Sequence, residues 1–495
     1  MLDELRKLFK HTSVYGAGNM LGKLVGFFMI PIYTRYLGPG DYGILELLDL
    51  SLMLMGVFMT MWMNASIVRY YYDYKDTKDK NEVVSTSLYL SIFIGIFVAA
   101  LGMAWARQLS MLVLKTPSYY FLIYLVAVSF FLSSVKTVCW SYLRARQRST
   151  LIVSLDMAML VLLLGFNIYF IAIVKIGLIG ILYSNLIASL VVTSLMTVLT
   201  LREVNLGFSA HKLRQLVTFG SPLVLTSIAA FTVNFSDRFF LQRFGSVSDV
   251  GIYALGYKFG FMLSFLLVQP FQLIWSAQMY EIDRKEHAGE IFARVFRYYG
   301  LLLIGVGLAI SMLIKEVVSV IAAPSFHSAY KIVPLVTLAY IFQGMSQFFL
   351  AGLYIKKKTT YIGAIGFVSA GVNLLLNFFL IRAFLGMGGA YATALSFFFV
   401  LVLTFWAAQR VHPLPAHPIR LLVPLSVAAI IYLSSTLIAD LPLVFAVCVK
   451  LLLWMALPVA LYLWGFFEPR EIEKAKEALN LVLVRYGWRA AAQEQ

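Results

Sequence analysis

Lys23 is a charged side chain in the middle of an apolar stretch. It lies 13 residues after Lys10 and 12 before Arg35, inside the run from Thr12 to Tyr36. At about 1.5 Å per residue of helix, that is roughly 18 Å from either end, too deep for an ammonium group to reach water easily by snorkelling. A charge at such a depth costs about 2.5–3.5 kcal/mol to insert, so it needs a helix carbonyl in a packed interface or, the reading the sequence favours, a water-filled cavity. Lys258 stands 9 residues from Asp249, and Lys136 stands 8 from Arg144, where snorkelling suffices. Asp237 and Arg238 form an adjacent pair, Asp156 sits near one end of its span, and Lys450 reads as a snorkelling lysine. No Asp or Glu occurs between Thr12 and Arg35. The deep charges read as mostly positive, which calls for an anionic cargo, because lysines attract a compact anion such as phosphate as point charges. Lys23, Lys258, Arg238 and Lys136 are therefore the candidate substrate-binding residues. Asp237 and Asp156 are the candidates for coupling to a proton or sodium ion.

The elements that hold these residues follow from composition. Of 495 residues, 61% are hydrophobic and 13% charged, with a mean hydropathy of +0.84. A soluble domain is roughly 45–50% apolar and about 25% charged; the excess needs a bilayer. Apolar spans fall at about 12–36, 42–68, 83–106, 118–142, 151–174, 177–200, 216–241, 250–275, 292–314, 329–354, 361–381, 387–408, 419–438 and 443–466. In lipid every backbone polar group needs an internal partner, so these spans must be helices. The sequence thus predicts an all-α membrane protein of about fourteen transmembrane helices. The first span is too long for a signal-peptide core. The formal charge of +16 lies in short loops, not in a stripe, which argues against nucleic acid. Cys139 and Cys448 both fall inside spans, histidines are scattered, and no phosphate-loop, nucleophile-elbow or dinucleotide motif stands in a strand–helix context. No enzyme, metal site or cofactor is expected.

Lys and Arg in the loops set the orientation. Of the 40, 27 fall on the side that holds both termini and 8 on the other. This puts both termini in the cytoplasm. Residues 468–488 read as an amphipathic helix with a basic face, lying on the cytoplasmic surface.

The chain also repeats itself. Arg35, Asp41, Gly43, Ile44 and Leu47 recur 208 residues later as Arg243, Asp249, Gly251, Ile252 and Leu255. Asn167 recurs as Asn377 at 210, and Gly177 and Gly180 as Gly386 and Gly389 at 209. Six helices per repeat is an even number, so the halves share orientation and are related by an axis along the membrane normal, with the substrate path between them. The expected division is a short segment 1–11, a six-helix lobe 12–205, a second 206–410, two extra helices in 411–466 and a tail 467–495.

The segment GKLVGFFMIPIYTRYLGPGDYGILEL, echoed by FSDRFFLQRFGSVSDVGIYALGYKFG, resembles the polysaccharide flippases of the multidrug/oligosaccharidyl-lipid/polysaccharide exporter superfamily. The turn after span one, its echo after span seven, the Asp237–Arg238 pair and Tyr257–Lys258 carry the resemblance, which extends over essentially the whole chain. It implies a two-lobed bundle alternating between inward- and outward-open states in a bacterial inner membrane. The implied cargo is an oligosaccharide repeat unit on undecaprenyl diphosphate, for O-antigen, capsule or exopolysaccharide. Lys23 falls where the lipid II flippase branch has a cavity arginine, but a second arginine of that branch falls at Met29. That departure favours the repeat-unit branch over a lipid II flippase. In the lipid II branch the last two helices accommodate the prenyl tail, a role open to spans thirteen and fourteen. The rivals are a cation-coupled drug antiporter of the same fold, disfavoured by the lack of an acid in span one, and a membrane polysaccharide polymerase, disfavoured by short outward loops.

Overall fold

The computed structural model of the chain describes residues 27, 29–438 and 441–466. Lys23, most of the first expected span and the amphipathic tail lie outside the described residues. Within them every regular element is helical. Sixteen α-helices follow in order: α1 (Ile30–Tyr36), α2 (Pro39–Met59), α3 (Met61–Asp73), α4 (Thr77–Ala104), α5 (Ala106–Leu114), α6 (Tyr120–Ala145), α7 (Ser149–Asn167), α8 (Leu178–Leu201), α9 (Ala210–Phe244), α10 (Val247–Leu263), α11 (Gln269–Ile282), α12 (Ala288–Ile321), α13 (Val333–Ile355), α14 (Thr359–Val411), α15 (Leu422–Thr436) and α16 (Leu443–Leu463).

Twelve helices among the described residues are long and apolar enough to cross a membrane. Fourteen spans were expected, and part of the difference lies in α14. Its 53 residues are two helices joined at Leu385, whose backbone leaves the helix (φ 50°, ψ −126°). The chain turns back on itself there. Asn373 Nδ2 donates to Ser396 Oγ at 3.0 Å from the opposite arm, and a Cβ built on Gly388 would lie 2.0 Å from the Leu380 carbonyl oxygen. Only glycine lets the arms approach so closely. The two arms correspond to the expected spans 361–381 and 387–408.

The repeat is visible in the backbone. Gln147 and Lys357, 210 residues apart, both have φ of 56° in the turns before α7 and α14. Gly177 (φ 62°, ψ −135°) and Leu385, 208 apart, share one unusual conformation. The turn motifs have a physical meaning as well. Ser246 caps α10, accepting from Asp249 N at 3.1 Å while the Asp249 carboxylate accepts from Ser246 N at 2.9 Å. This reciprocal arrangement satisfies two free donors of the helix start. In α2 the same register holds Gly38, Pro39 and Asp41, with proline at the first helical position, where no amide hydrogen is needed.

The helices pack as two bundles. In the first, α4, α6 and α8 lie side by side with α2, α3 and α7; in the second, α10, α12, α13 and both arms of α14 do so. Helix α9 belongs to both. Its first turns hold the first bundle: Lys212 Nζ binds Asp79 Oδ1 at 2.8 Å and Glu82 Oε2 at 2.7 Å, and Ser66 Oγ donates to the Leu216 carbonyl at 3.2 Å. Its later turns hold the second: Ser236 Oγ donates to Asn373 Oδ1 at 3.0 Å, and Asn377 Nδ2 donates to Ser236 Oγ at 3.1 Å. The expected boundary at 205/206 falls just before this shared helix.

Lys450 is not a snorkelling residue. It is buried in α16, 2.5 Å from Glu316 Oε1 of α12, and its ammonium also donates to the Met312 carbonyl at 2.9 Å. Trp454 Nε1 donates to the Gly305 carbonyl at 2.8 Å. These polar bonds fix the register of α16 along α12.

Candidate functional site

The bundles meet where α2 crosses α10. A Cβ on Gly43 would lie 1.9 Å from the Val247 carbonyl oxygen, and a Cβ on Gly251 would lie 2.0 Å from the Pro39 carbonyl oxygen. The backbones touch. Lys115 reinforces this end, donating to the carbonyls of Arg243 at 3.0 Å and Gly245 at 3.3 Å.

One turn below the crossing on α2 and two on α10, charged side chains face one another. Lys258 Nζ of α10 lies 3.2 Å from Glu46 Oε2 of α2 and donates to Tyr42 OH, also of α2, at 3.0 Å. The Lys258 side chain is 47% exposed, so it faces open space and not a packed core. Asp49, one helical turn beyond Glu46, is likewise exposed and lies close enough to Lys258 and Glu46 to feel both charges. Tyr33 of α1 borders the same space, and its hydroxyl accepts from Asn167 Nδ2 at 3.0 Å. Lys258, Glu46, Asp49 and Tyr33 thus border one open space below the glycine contact, between α2, α10 and α1, the chamber of the site.

Arg238 approaches this chamber from beneath its wall. Its Nε lies 3.9 Å from Glu46 Oε1, but only 2% of its side chain is exposed. The guanidinium stacks 3.8 Å from the Tyr257 ring centre; a cation over a desolvated aromatic face is attracted by about 2 kcal/mol. It also donates to Asp237 Oδ1 at 2.6 Å and the Asn234 carbonyl at 2.9 Å. Asp237 Oδ2 accepts from Tyr253 OH, with Thr393 Oγ1 at 3.5 Å. The Asp237–Arg238 pair is thus held mainly by the second bundle, with Arg238 Nε lacking a hydrogen-bond partner beside Glu46, and Arg238 presents almost no surface to a cargo.

The remaining candidates separate. Lys136 (α6) and Asp156 (α7) lie near each other in the first bundle, beside Trp140, and neither is among the groups that interact with Lys258 or Glu46. The sequence reading missed Glu46 and Asp49, and with them the chamber's charge: its deep groups are mixed in sign, not mostly positive. The signal was present in LELLDL, where two acids one helical turn apart sit inside an apolar span. The insertion cost that singled out Lys23 applies equally to them. Among the described residues no group of three or more His, Cys, Asp and Glu is placed to hold a metal.

On the far side of the second bundle, α12, α13 and α15 enclose an apolar groove of about 460 Å³, lined by Ile304, Leu308, Leu335, Leu338, Phe342, Leu425 and Tyr432 among others.

Two helical bundles that carry a sequence repeat, with twelve candidate membrane spans among the described residues, define a multi-pass membrane protein. Residues 32–331 match the family described as polysaccharide biosynthesis protein. The chain belongs to that family. It is 27% identical over 259 residues to "Lsg locus putative protein 1" of Haemophilus influenzae, a match covering 52% of this chain and 62% of that protein, less than two thirds of the relative's length. The fold is similar to that of "Lipid II flippase MurJ, inward closed conformation" (TM-score 0.74, 11% identity, 91% of this chain and 99% of that one). It is also similar to an inward-facing multidrug resistance MATE family transporter of the MOP superfamily (TM-score 0.60, 14% identity, 78% and 94%). These two structural neighbours are, by their descriptions, a lipid flippase and a drug transporter.

Proposed function

We propose that the chain carries an oligosaccharide repeat unit, linked to undecaprenyl diphosphate, from the cytoplasmic to the outer leaflet of a bacterial inner membrane. The observation that carries this reading is the half-exposed Lys258 ammonium between the two bundles, in a polysaccharide-family chain. The sugar and diphosphate would occupy the polar chamber, where Lys258, together with Lys23, replaces hydration lost by the phosphates. The prenyl chain would remain in lipid, with the apolar groove beside α15 as its resting surface. With both termini cytoplasmic, the glycine crossing lies at the outer end, and the chamber is shut toward the outside. Moving an anion outward is electrically downhill by about 2.3 kcal/mol per charge per 100 mV when the interior is negative. If a proton or sodium ion is coupled, Asp49 is the acid that meets it in the chamber; Asp237 is engaged by Arg238 and Tyr253, and Asp156 lies elsewhere.

Vesicles reconstituted with the protein and a short-chain undecaprenyl-diphosphate oligosaccharide test this. Lectin access to the sugar on the far face should depend on the protein and be faster under a potential that drives anions toward the outer-facing side. Protein-independent access rejects the cargo; equal rates at both potentials reject electrical driving.

A further inference from the structure

Resting on the reading just given, we propose that Glu46 is a built-in stand-in for the cargo's anionic group, and that a diphosphate opens the glycine crossing by taking Lys258 away from it.

The argument begins with which bundle each partner belongs to. Lys258 rises from α10, and the two groups that bind its ammonium, the Glu46 carboxylate at 3.2 Å and the Tyr42 hydroxyl at 3.0 Å, both belong to α2. The cation therefore ties one bundle to the other just below the backbone contact of Gly43 and Gly251. Arg238 is different. Its close partners, Asp237, the Asn234 carbonyl and the Tyr257 ring, are all on its own side, and Glu46 stands off at 3.9 Å. Losing Glu46 removes the closer tie, to Lys258, and weakens the longer Arg238 pair, whose own close partners remain.

The tie is also reachable. Lys258 is 47% exposed and Glu46 12%, so an anion in the chamber can approach the ammonium from the side that Glu46 does not cover. A monoanion would exchange for Glu46 on roughly equal terms. A diphosphate brings at least two charges and more acceptor oxygens to a donor that behaves as a point charge, so it prevails. Once Lys258 has turned to the cargo, Glu46 keeps only the more distant Arg238 as a counter-charge, one helical turn from Asp49 and beside the incoming phosphates. Like charges at that spacing repel, and the repulsion is relieved when α2 swings away from α10 and water enters. The ligand thus binds the open arrangement better than the closed one, the condition for any ligand-driven change. The device selects for a diphosphate and links its arrival to opening.

Cross-linking across the closed end reads this directly. A Cβ at Gly40 would lie 3.4 Å from Ser248 Oγ, so Gly40→Cys with Ser248→Cys, in a Cys448→Ser background, suits a disulfide in the closed form. The rate of oxidative cross-linking is measured in vesicles, alone and with undecaprenyl diphosphate or undecaprenyl monophosphate, while lipid binding is followed by mass spectrometry of the intact complex. The expected result is a several-fold slowing by the diphosphate and a smaller one by the monophosphate. Glu46→Gln should slow cross-linking several-fold without ligand and abolish the response to diphosphate. Lys258→Met, which removes the same tie from the other helix, should do likewise if Glu46→Gln does not fold. Diphosphate that binds the parent without slowing cross-linking overturns the latch, as does Glu46→Gln cross-linking at the parental rate and still responding to diphosphate; both leave the cargo reading standing. A parent that does not bind undecaprenyl diphosphate overturns the cargo reading and the latch together.

Discussion

Gly43 and Gly251 lie 208 residues apart in the chain and face each other across the contact between α2 and α10. The contact is reciprocal: Gly43 abuts the carbonyl of Val247, and Gly251 abuts the carbonyl of Pro39, which stands 208 residues before Val247. A pseudo-twofold axis passes between them, as parallel repeats require. A methyl group at either position must displace backbone. Gly43→Ala or Gly251→Ala should hold the end open, with labelling of a Gly38→Cys reporter by an impermeant thiol reagent rising several-fold and transport falling about tenfold, equivalent to about 1.4 kcal/mol. Parental labelling and transport in both variants would show that the crossing is not a gate.

Lys258 and Arg238 should fail in different ways. Lys258 is half exposed, and its loss removes a charged hydrogen-bond donor from the cargo, an interaction of about 1.5–3 kcal/mol, or roughly 10- to 100-fold in affinity. Lys258→Arg keeps the charge and should retain most binding. Arg238 is buried against Asp237 and Tyr257. Arg238→Ala leaves Asp237 as an uncompensated buried charge and should lower thermal stability by about 3–5 kcal/mol. Binding of undecaprenyl diphosphate, scored beside thermal unfolding in detergent, separates the two. A Lys258→Ala variant that binds like the parent would remove the lysine from the site.

Much of this architecture was legible because its causes are local. Helical membrane spans follow from apolar length, and the repeat from the offset between Arg35–Leu47 and Arg243–Leu255. The Asp41 and Asp249 positions stood out as repeated, and the structure makes each the acid in the first turn of a helix. What escaped depends on which faces meet. Lys450 looked free to snorkel because Glu316, 134 residues away in the chain, is its partner only once α16 lies along α12. Arg238 looked able to reach a cargo because sequence does not show that Tyr253 and Tyr257 cover it. Glu46 and Asp49 escape for another reason: they sit near the start of the span 42–68, where an acid also fits a helix's first turns.

Leu385 adopts φ 50°, ψ −126°, a conformation its repeat counterpart assigns to Gly177 at φ 62°, ψ −135°. A residue with a side chain is strained there by about 1–3 kcal/mol, whereas glycine adopts it freely. Leu385→Gly should raise thermal stability by about 1 kcal/mol, net of the packing lost with the side chain. Gly177→Leu should lower it by a similar amount. Thermal unfolding of the two purified variants checks the pair, and a Leu385→Gly variant less stable than the parent would contradict the strain.

Glu203, in the loop after α8, gathers Arg148 at 2.5 Å and Arg146 at 3.8 Å from neighbouring turns. Partial burial raises its carboxyl pKa, but hydrogen bonds from Arg148 and Tyr142 and the charges of Arg148 and Arg146 outweigh burial and hold it below the ordinary glutamate range. A carboxyl group depressed by folding contributes stability above its unfolded pKa of about 4.3 and loses that contribution as pH falls through the folded value. The unfolding temperature should therefore drop more steeply below about pH 4 in the parent than in Glu203→Gln. Parallel acid profiles for the two would show that the cluster contributes nothing.

The Lys450–Glu316 pair makes the strongest stability prediction because it is buried on both sides, with side chains 4% and 8% exposed. Neither charge has water to fall back on, and one carboxylate oxygen of Glu316 has no hydrogen-bond partner among the described residues. Removing one partner strands the other, at a cost of about 3–5 kcal/mol, while replacing both with apolar groups of similar size is often neutral or stabilising. Lys450→Met alone and Glu316→Leu alone should each lower the unfolding temperature markedly, and the double variant should recover most of the loss. If the pair serves only to register α16 against α12, the double variant should also transport at the parental rate, since Trp454 still bonds the Gly305 carbonyl. A stable double variant that has lost transport would mean that the charge itself is used during the cycle, in a part of the chain that the repeat does not contain.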